Sequence, residues 1–315
     1  MRSNIIEYKG VKISSEQFKT LQDFNALTPR ELRLKSESKK DSKAYFSIKD
    51  NNISEITITE GIDTIPESIS ALKFLRSLNL SYNNIKSLPA SIKGLESLEN
   101  LNLEWNSNNI SLPKTISDLK SLKTMNLAAN KLESLIESIG DLYSLTVLNL
   151  SSNILKELPK SIGKLSKLRI LDLHKNYITT LPKTIGNLIS LERLDLGGNK
   201  MESLPITIGG LEKLKVLLLA INRLYTIPES LSKLVSLEVL DLGWNKLQQF
   251  PSCITKLGAL KELSINNCYL ESVPDDIEEL SHLNRLDLST NKLNELPFSI
   301  FNLKSLKKLN LGPIG

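Results

Sequence analysis

The feature that most constrains this chain is a spacing. From Leu75 to Ser97 the sequence reads Leu-x-x-Leu-x-Leu-x-x-Asn-x-Ile-x-x-Leu-Pro-x-x-Ile-x-x-Leu-x-x, and the same 23-residue frame restarts at Leu98, Leu122, Leu145, Leu168, Leu191, Leu214, Leu237, Leu260 and Leu283. An incomplete copy begins at Leu306, and a degenerate one at Ile53 is a residue short near Gly61. The Leu98 copy carries one extra residue near Asn108, which makes eleven full copies and a fragment. A unit this short cannot bury its apolar side alone, so copies must stack and share one continuous core.

Each position of the unit has a physical reason. The fourth and sixth residues, such as Leu78 and Leu80, have the period of a strand and point to one side, inward, so that neighbouring copies pair as parallel strands. The ninth residue is asparagine at Asn83, Asn106, Asn130, Asn153, Asn176, Asn199, Asn222, Asn245 and Asn291, and Cys268 stands in the same column. The chain turns away from the sheet there. A carboxamide has both donors and an acceptor for the backbone groups that such a turn buries, so these asparagines are expected to form a ladder. Proline recurs at position fifteen in Pro66, Pro89, Pro113, Pro159, Pro182, Pro205, Pro228, Pro251, Pro274 and Pro297, ten of the twelve prolines in the chain. It blocks strand continuation and sets the return segment, whose Ile92 and Leu95 are spaced as on a helical turn. Outer segments wider than the strand spacing of about 4.8 Å would curve the stack with the sheet inside.

These motifs resemble the intracellular leucine-rich-repeat proteins with the Leu-Pro-x-x-Ile-x-x-Leu pattern, among them Ras-group repeats, Scribble-like scaffolds and stand-alone prokaryotic members, over residues 53–311. The resemblance implies an α/β fold: a curved right-handed solenoid with a parallel sheet on the concave face and short helical or 3-10 turns on the convex face. It also implies recruitment of a protein partner, often in small-GTPase or kinase signalling. Fold is what it specifies well; it says little about the partner.

Composition narrows the function classes. Residues 1–52 carry 11 of the 40 basic and 7 of the 35 acidic residues, leaving 29 against 28 for residues 53–315, so the net charge of +5 gives the repeats no one-sign stripe for nucleic acid. No stretch approaches the ~18 apolar residues of a membrane span, and the start lacks the apolar core of a signal peptide. With two cysteines, Cys253 and Cys268, placed on different sides of the unit, no disulfide is expected. A reducing, cytoplasmic setting fits. No phosphate loop, kinase signature or nucleophile elbow is present, and two histidines make neither a metal site nor a triad, so no enzyme activity, cofactor or metal is expected. The other reading of function is a targeting arm for a GTPase, kinase or ligase domain lying outside the given sequence.

The ends differ from the repeats. Residues 1–52 read as a small α/β cap: a hairpin of Ile5–Tyr8 with Val11–Ile13, then a capped helix from Ser14-Ser15-Glu16-Gln17 to about Ala26, whose Phe18, Leu21 and Phe24 cover the first repeat or bind a partner. Thr28-Pro29-Arg30-Glu31 looks like a second helix start, and Ser36 to Lys43 like a mobile loop. At the other end Leu306, Leu309 and Leu311 would face an uncovered edge, in a fragment of a longer chain, in a monomer, or in a dimer formed through that edge.

Positions two, three, five, seven and eight face solvent, and specificity must be written there. Position two alternates in sign through Arg76, Glu99, Lys123, then Arg169, Glu192, Lys215, Glu238 and Lys261, which reads as a structural charge ladder. Position five is Asn or Asp in most copies, and Leu218 breaks the column. With Val216, Ile221, Val239 and Trp244, and with Ile170 two copies earlier, it reads either as a binding patch or as scattered surface apolar residues. Tyr82, Trp105 and Trp244 share position eight, where aromatic side chains suit a partner's hot spots. His174 on the rim is a possible contact.

Overall fold

The computed structural model describes residues 4–29, 31–38, 42–106 and 110–312, in two compact units, Met1–Asn153 and Ile154–Gly315. In the first unit β1 (Ile5–Tyr8) and β2 (Val11–Ser14) pair antiparallel and lead directly into α1 (Ser15–Leu27). Ser14 caps that helix by accepting the Gln17 N–H at 3.2 Å. The helix is tied to the first repeat by polar bonds as well as by buried Leu21 and Phe24. Gln17 Nε2 donates to Asn52 Oδ1 at 2.9 Å, Ile53 N–H donates to Gln17 Oε1 at 3.3 Å, and Thr20 Oγ1 donates to the Ser68 carbonyl at 2.8 Å. These bonds hold α1 against Asn52, Ile53 and Ser68.

No second helix follows it among the described residues. Thr28 closes α1, and the Leu32 N–H is held by Asn25 Oδ1 at 2.7 Å, which pulls the chain extended and sinks Leu32 into the core. Arg33–Leu34 then forms a two-residue strand, β3, parallel to β4 (Ala44–Lys49), and Lys35–Glu37 makes a 3-10 turn. Of the segment expected as a loop, residues 36–38 and 42–43 are described, and residues 39–41 lie outside the described residues. Strand β4 turns back antiparallel onto β5 (Asn52–Ile58) through Asp50 and Asn51, both left-handed at φ 50° and 61°. From β5 onward every pairing in this unit is parallel: β6 (Ser77–Asn79), β7 (Asn100–Asn102), β8 (Thr124–Asn126) and β9 (Val147–Asn149).

The second unit stacks β10 (Ile170–Asp172), β11 (Arg193–Asp195), β12 (Val216–Leu218), β13 (Val239–Asp241), β14 (Glu262–Ser264), β15 (Arg285–Asp287) and β16 (Lys308–Asn310), all parallel and in register. Position three therefore always lies beside position three, and five beside five. In both units the prolines precede 3-10 turns, such as Ala90–Gly94 and Ile206–Gly210. The proline carbonyl accepts the N–H three residues on, as in Ile208 to Pro205 at 2.9 Å, and further bonds of that spacing carry the chain to the next leucine. Ile136 replaces proline in one copy with the same backbone, φ −69° and ψ 146°, so the ring favours this geometry without being required for it.

The asparagine ladder is present. Asn222 Nδ2 donates to the Leu196 and Leu219 carbonyls at 2.9 and 3.0 Å, and its Oδ1 accepts the Met201 N–H at 3.0 Å. Asn83, Asn106, Asn130, Asn153, Asn199, Asn245 and Asn291 each bond the carbonyl three residues earlier or one beside it, a carbonyl of the preceding copy, and an amide N–H. Asn176 holds the Leu155 N–H at 3.0 Å and the Leu173 carbonyl at 3.1 Å. Removing one such side chain strands several buried groups at once. Asn222→Ala is expected to cost about 3 kcal/mol, read as a lower guanidinium midpoint, whereas alanine at the exposed Asn187 leaves it unmoved.

Candidate functional site

The solvent side of the sheet is built by the register of the strands. Position five does two things there, only one of which is visible in sequence. In copy after copy its side-chain oxygen accepts the backbone N–H two residues on: Asn79 from Ser81, Asn102 from Glu104, Asn126 from Ala128, Asn149 from Ser151, Asp172 from His174, Asp195 from Gly197, Asp241 from Gly243 and Asp287 from Ser289, at 2.9 to 3.1 Å. Position five is therefore not free to vary, as its place on the surface suggests; it terminates the strand. Leu218 cannot accept that bond, and among the described residues the Ala220 N–H has no acceptor. In the copy of β14, Ser264 turns its hydroxyl to Asn266 Oδ1 instead.

Position eight carries a second hidden constraint. Tyr82, Trp105, Ala129, Ser152, Lys175, Gly198, Ile221, Trp244, Asn267 and Thr290 all have φ between 51° and 67°, the left-handed region. Only one of the ten is glycine. The conformation is held from both sides: the N–H of eight of these residues bonds the next copy, as Ile221 to the Gly243 carbonyl at 2.9 Å and Trp244 to that of Asn266 at 2.8 Å, and in all but the Asn267 turn an asparagine follows and locks it. The side chain is thrown outward. Trp244 is 59% exposed and Ile221 58%. For a β-branched residue this backbone is an outlier costing about 1–2 kcal/mol, and nothing inside the fold uses the isoleucine side chain.

The structure separates the residues singled out above into two groups. In the first unit, Tyr82 and Trp105 stack with ring centroids 6.2 Å apart and planes 11° from parallel, both rings exposed. In the second unit the register places Val216 beside Val239 and Leu218 between Asp195 and Asp241. Val216, Leu218 and Val239 are half-buried on the solvent side while Leu217, Leu219 and Leu240 fill the core. Ile221 and Trp244 end the turns of the same two copies. Ile170 does not join them: Arg193 stands between it and Val216, its guanidinium reaching Asp195 Oδ2 at 3.2 Å.

His174 Nδ1 lies 3.7 Å from Asp195 Oδ1, and the His174 N–H donates to Asp172, whose carboxyl is pushed up chiefly by burial. The pair supplies a positioned imidazole but no nucleophile, and among the described residues no group of three or more His, Cys, Asp or Glu side chains is placed to hold a metal ion. Along position two the charge ladder forms: Arg76 and Lys123 flank Glu99 at 3.4 and 2.7 Å, Arg169 and Lys215 flank Glu192 at 2.7 and 3.7 Å, and Lys261 reaches Glu238 at 2.8 Å. These exposed pairs fix side-chain direction more than they stabilise.

A family model described as a leucine-rich-repeat region matches residues 55–158 and 157–265, and a second leucine-rich-repeat model matches 258–312. The chain belongs to the leucine-rich-repeat family. Among solved structures it is similar to a leucine-rich-repeat protein of Leptospira interrogans, at 34% identity over 78% of this chain and 74% of that one, with a TM-score of 0.58. A plant peptide hormone receptor, RGFR1, in complex with RGF2 shares 30% identity over 85% of this chain and 43% of that one, with a TM-score of 0.70. An internalin of Listeria monocytogenes shares the fold at 24% identity over 80% of this chain and 72% of that one, with a TM-score of 0.69. No curated protein matches the chain. No described helix of this leucine-rich-repeat protein is long and apolar enough to cross a membrane.

One junction of the repeat departs from the rest. Cys268 stands in the asparagine column and donates its thiol to the Leu242 carbonyl at 3.1 Å, but it supplies no carboxamide oxygen for the Leu247 N–H. The rung is rebuilt as Gln248 N–H to the Cys268 carbonyl at 2.9 Å, with Gln248 and Tyr269 both left-handed. The following outer turn shortens to Ser252–Ile254, and a groove of about 220 Å³ opens there beside Tyr225, Glu229, Phe250 and Cys253. The repeat departs at two places here, cysteine for asparagine at 268 and phenylalanine for leucine at 250.

Two expectations follow. Ile221→Asn puts a residue that tolerates φ 58° where a β-branched one is strained, and is expected to raise stability by about 1 kcal/mol, measured by chemical unfolding. Burial pushes both Cys253 and Cys268 up to about 11, so folding favours the neutral thiols; that contribution is present below the ordinary thiol value of 9.0 and is lost as pH rises towards 11. At pH 8 the native protein is expected to resist iodoacetamide, with both cysteines alkylated only in denaturant, as mass spectrometry would count.

Proposed function

We propose that this leucine-rich-repeat protein is a non-enzymatic interaction module that holds a partner protein on the solvent side of strands β10 to β15. The observation that supports this most is the apolar group of Val216, Leu218 and Val239, half-buried on the solvent side, with the exposed Ile221 and Trp244; within it Leu218 stands in a column that most other copies fill with Asn or Asp. Apolar residues gathered on a solvated sheet cost solubility unless something covers them. Here one of them replaces a strand-terminating bond and another occupies a strained turn. Both features spend stability on surface chemistry, which points to contact.

In this reading residues 1–52 act as the cap and residues 53–315 as the binding stack. The stacked pair Tyr82 and Trp105 and the imidazole of His174 are secondary contacts, and Ile170 contributes separately, beyond Arg193. Two buried, unpaired thiols suit a reducing cytoplasm. A small GTPase or a kinase is the partner class that the family resemblance supplies, and the plant receptor's complex with RGF2 offers a precedent for a polypeptide held by a related repeat array.

The test pairs the natural chain with Trp244→Ala. Affinity capture from native lysate identifies a partner, and titration of that purified partner measures affinity. Truncating Trp244 is expected to weaken binding by about 2 kcal/mol or more, roughly 30-fold, with an unchanged unfolding midpoint. Equal affinity for the two chains sinks the proposal.

A further inference from the structure

Position five, where it is Asn or Asp, differs between copies in charge and not in the strand-ending bond. It reads Asn79, Asn102, Asn126 and Asn149 in the first unit, and Asp172, Asp195, Leu218, Asp241, Ser264 and Asp287 from β10 to β15 in the second. Asn and Asp make the same bond to the N–H two residues on, at the same distance: 3.1 Å for Asn79 and 3.0 Å for Asp241. The negative charge is therefore surplus to strand termination.

At Asp241 the surplus is not neutralised inside the molecule among the described residues. Asp195 is flanked by Arg193 and His174, whereas Asp241 forms no ion pair among the described residues and keeps only the Gly243 N–H. Asp241 lies directly beside Leu218, one strand spacing of about 4.8 Å away. The Ala220 N–H has no acceptor among the described residues, and in its column Ala220 lies between Gly197 and Gly243.

A half-buried leucine, an unpaired carboxylate and an open N–H thus sit together on β12 and β13. Resting on the docking reading above, we infer that the partner seats a segment carrying a large apolar side chain next to a lysine or arginine, with a backbone carbonyl directed at the Ala220 N–H. The apolar side chain covers Leu218, Val216 and Val239, and the cation meets Asp241. Each of the three features is unmatched in this protein and matched by one feature of such a segment. An acidic partner, or a nucleic acid, would bring like charge against Asp241.

The experiment selects random 12-residue displayed peptides on the full chain and on Leu218→Asp, then titrates the best binder as a synthetic peptide. The expected pool, once peptides also retained by Leu218→Asp are removed, is enriched in Lys or Arg within two residues of a large apolar residue. Asp241→Asn keeps the turn bond, as asparagine does in five other copies, and is expected to weaken the peptide about tenfold, with most of the loss reproduced by raising salt. Leu218→Asn supplies the missing acceptor for Ala220; it is expected to lose at least 30-fold in affinity while its unfolding midpoint stays level or rises. A pool with neutral or acidic bias, or an affinity indifferent to Asp241→Asn, overturns the basic-segment inference and leaves the docking surface standing. A pool that Leu218→Asp retains equally well takes down both.

Discussion

Everything in this fold leans on the carboxamide of one asparagine per copy. A parallel stack of three-residue strands must turn its chain inward at the end of every strand, and each turn buries backbone groups that water cannot reach. One side chain with two N–H donors and an oxygen closes that account for its own copy and the preceding one together. Because each bond spans two copies, the ladder sets register as well as satisfying polarity. Register in turn puts like positions in columns, and columns are what turn a repeated sequence into a surface.

Where the carboxamide is missing, the consequence is local. Cys268 keeps the donor half of the job and loses the acceptor half, and the junction answers with a rearranged rung, two left-handed residues and a shortened outer turn. The flanking asparagines Asn245 and Asn291 are undisturbed, each holding its own carbonyls at 2.8 to 3.0 Å. A repeat stack tolerates such a defect because each copy depends only on its neighbours.

The repeat was legible because apolar spacing and asparagine recurrence are direct consequences of stacking. So were the helix cap of α1, the position-two charge ladder and the separate settings of the two thiols. What could not be read were constraints that leave no residue signature. The left-handed turn at position eight is filled by Tyr, Trp, Ala, Ser, Lys, Ile, Asn and Thr as well as one glycine, so sequence shows a variable surface position where the backbone has a strict demand. Position five looked like ordinary surface polarity, yet its oxygen ends the strand. The segment after α1 resembled a helix start because Pro29 followed Thr28, but a long-range bond from Asn25 to the Leu32 amide decides its course. Ile170 seemed part of the apolar group until register set Arg193 between them.

These hidden constraints change what an exposed residue means. On a surface with no structural duty, a leucine or an isoleucine is unremarked variation. At position five and position eight the same residues carry a cost that most other copies avoid: Leu218 leaves an amide open, and Ile221 holds a backbone that its branched side chain resists. Two such costs fall in a single copy, beside a carboxylate on the adjoining strand that has no counter-ion among the described residues. In a repeat where most other copies end the strand with an Asn or Asp oxygen, deviation is measurable against an internal standard. That comparison, copy against copy within one chain, is what separates a contact surface from a merely apolar one.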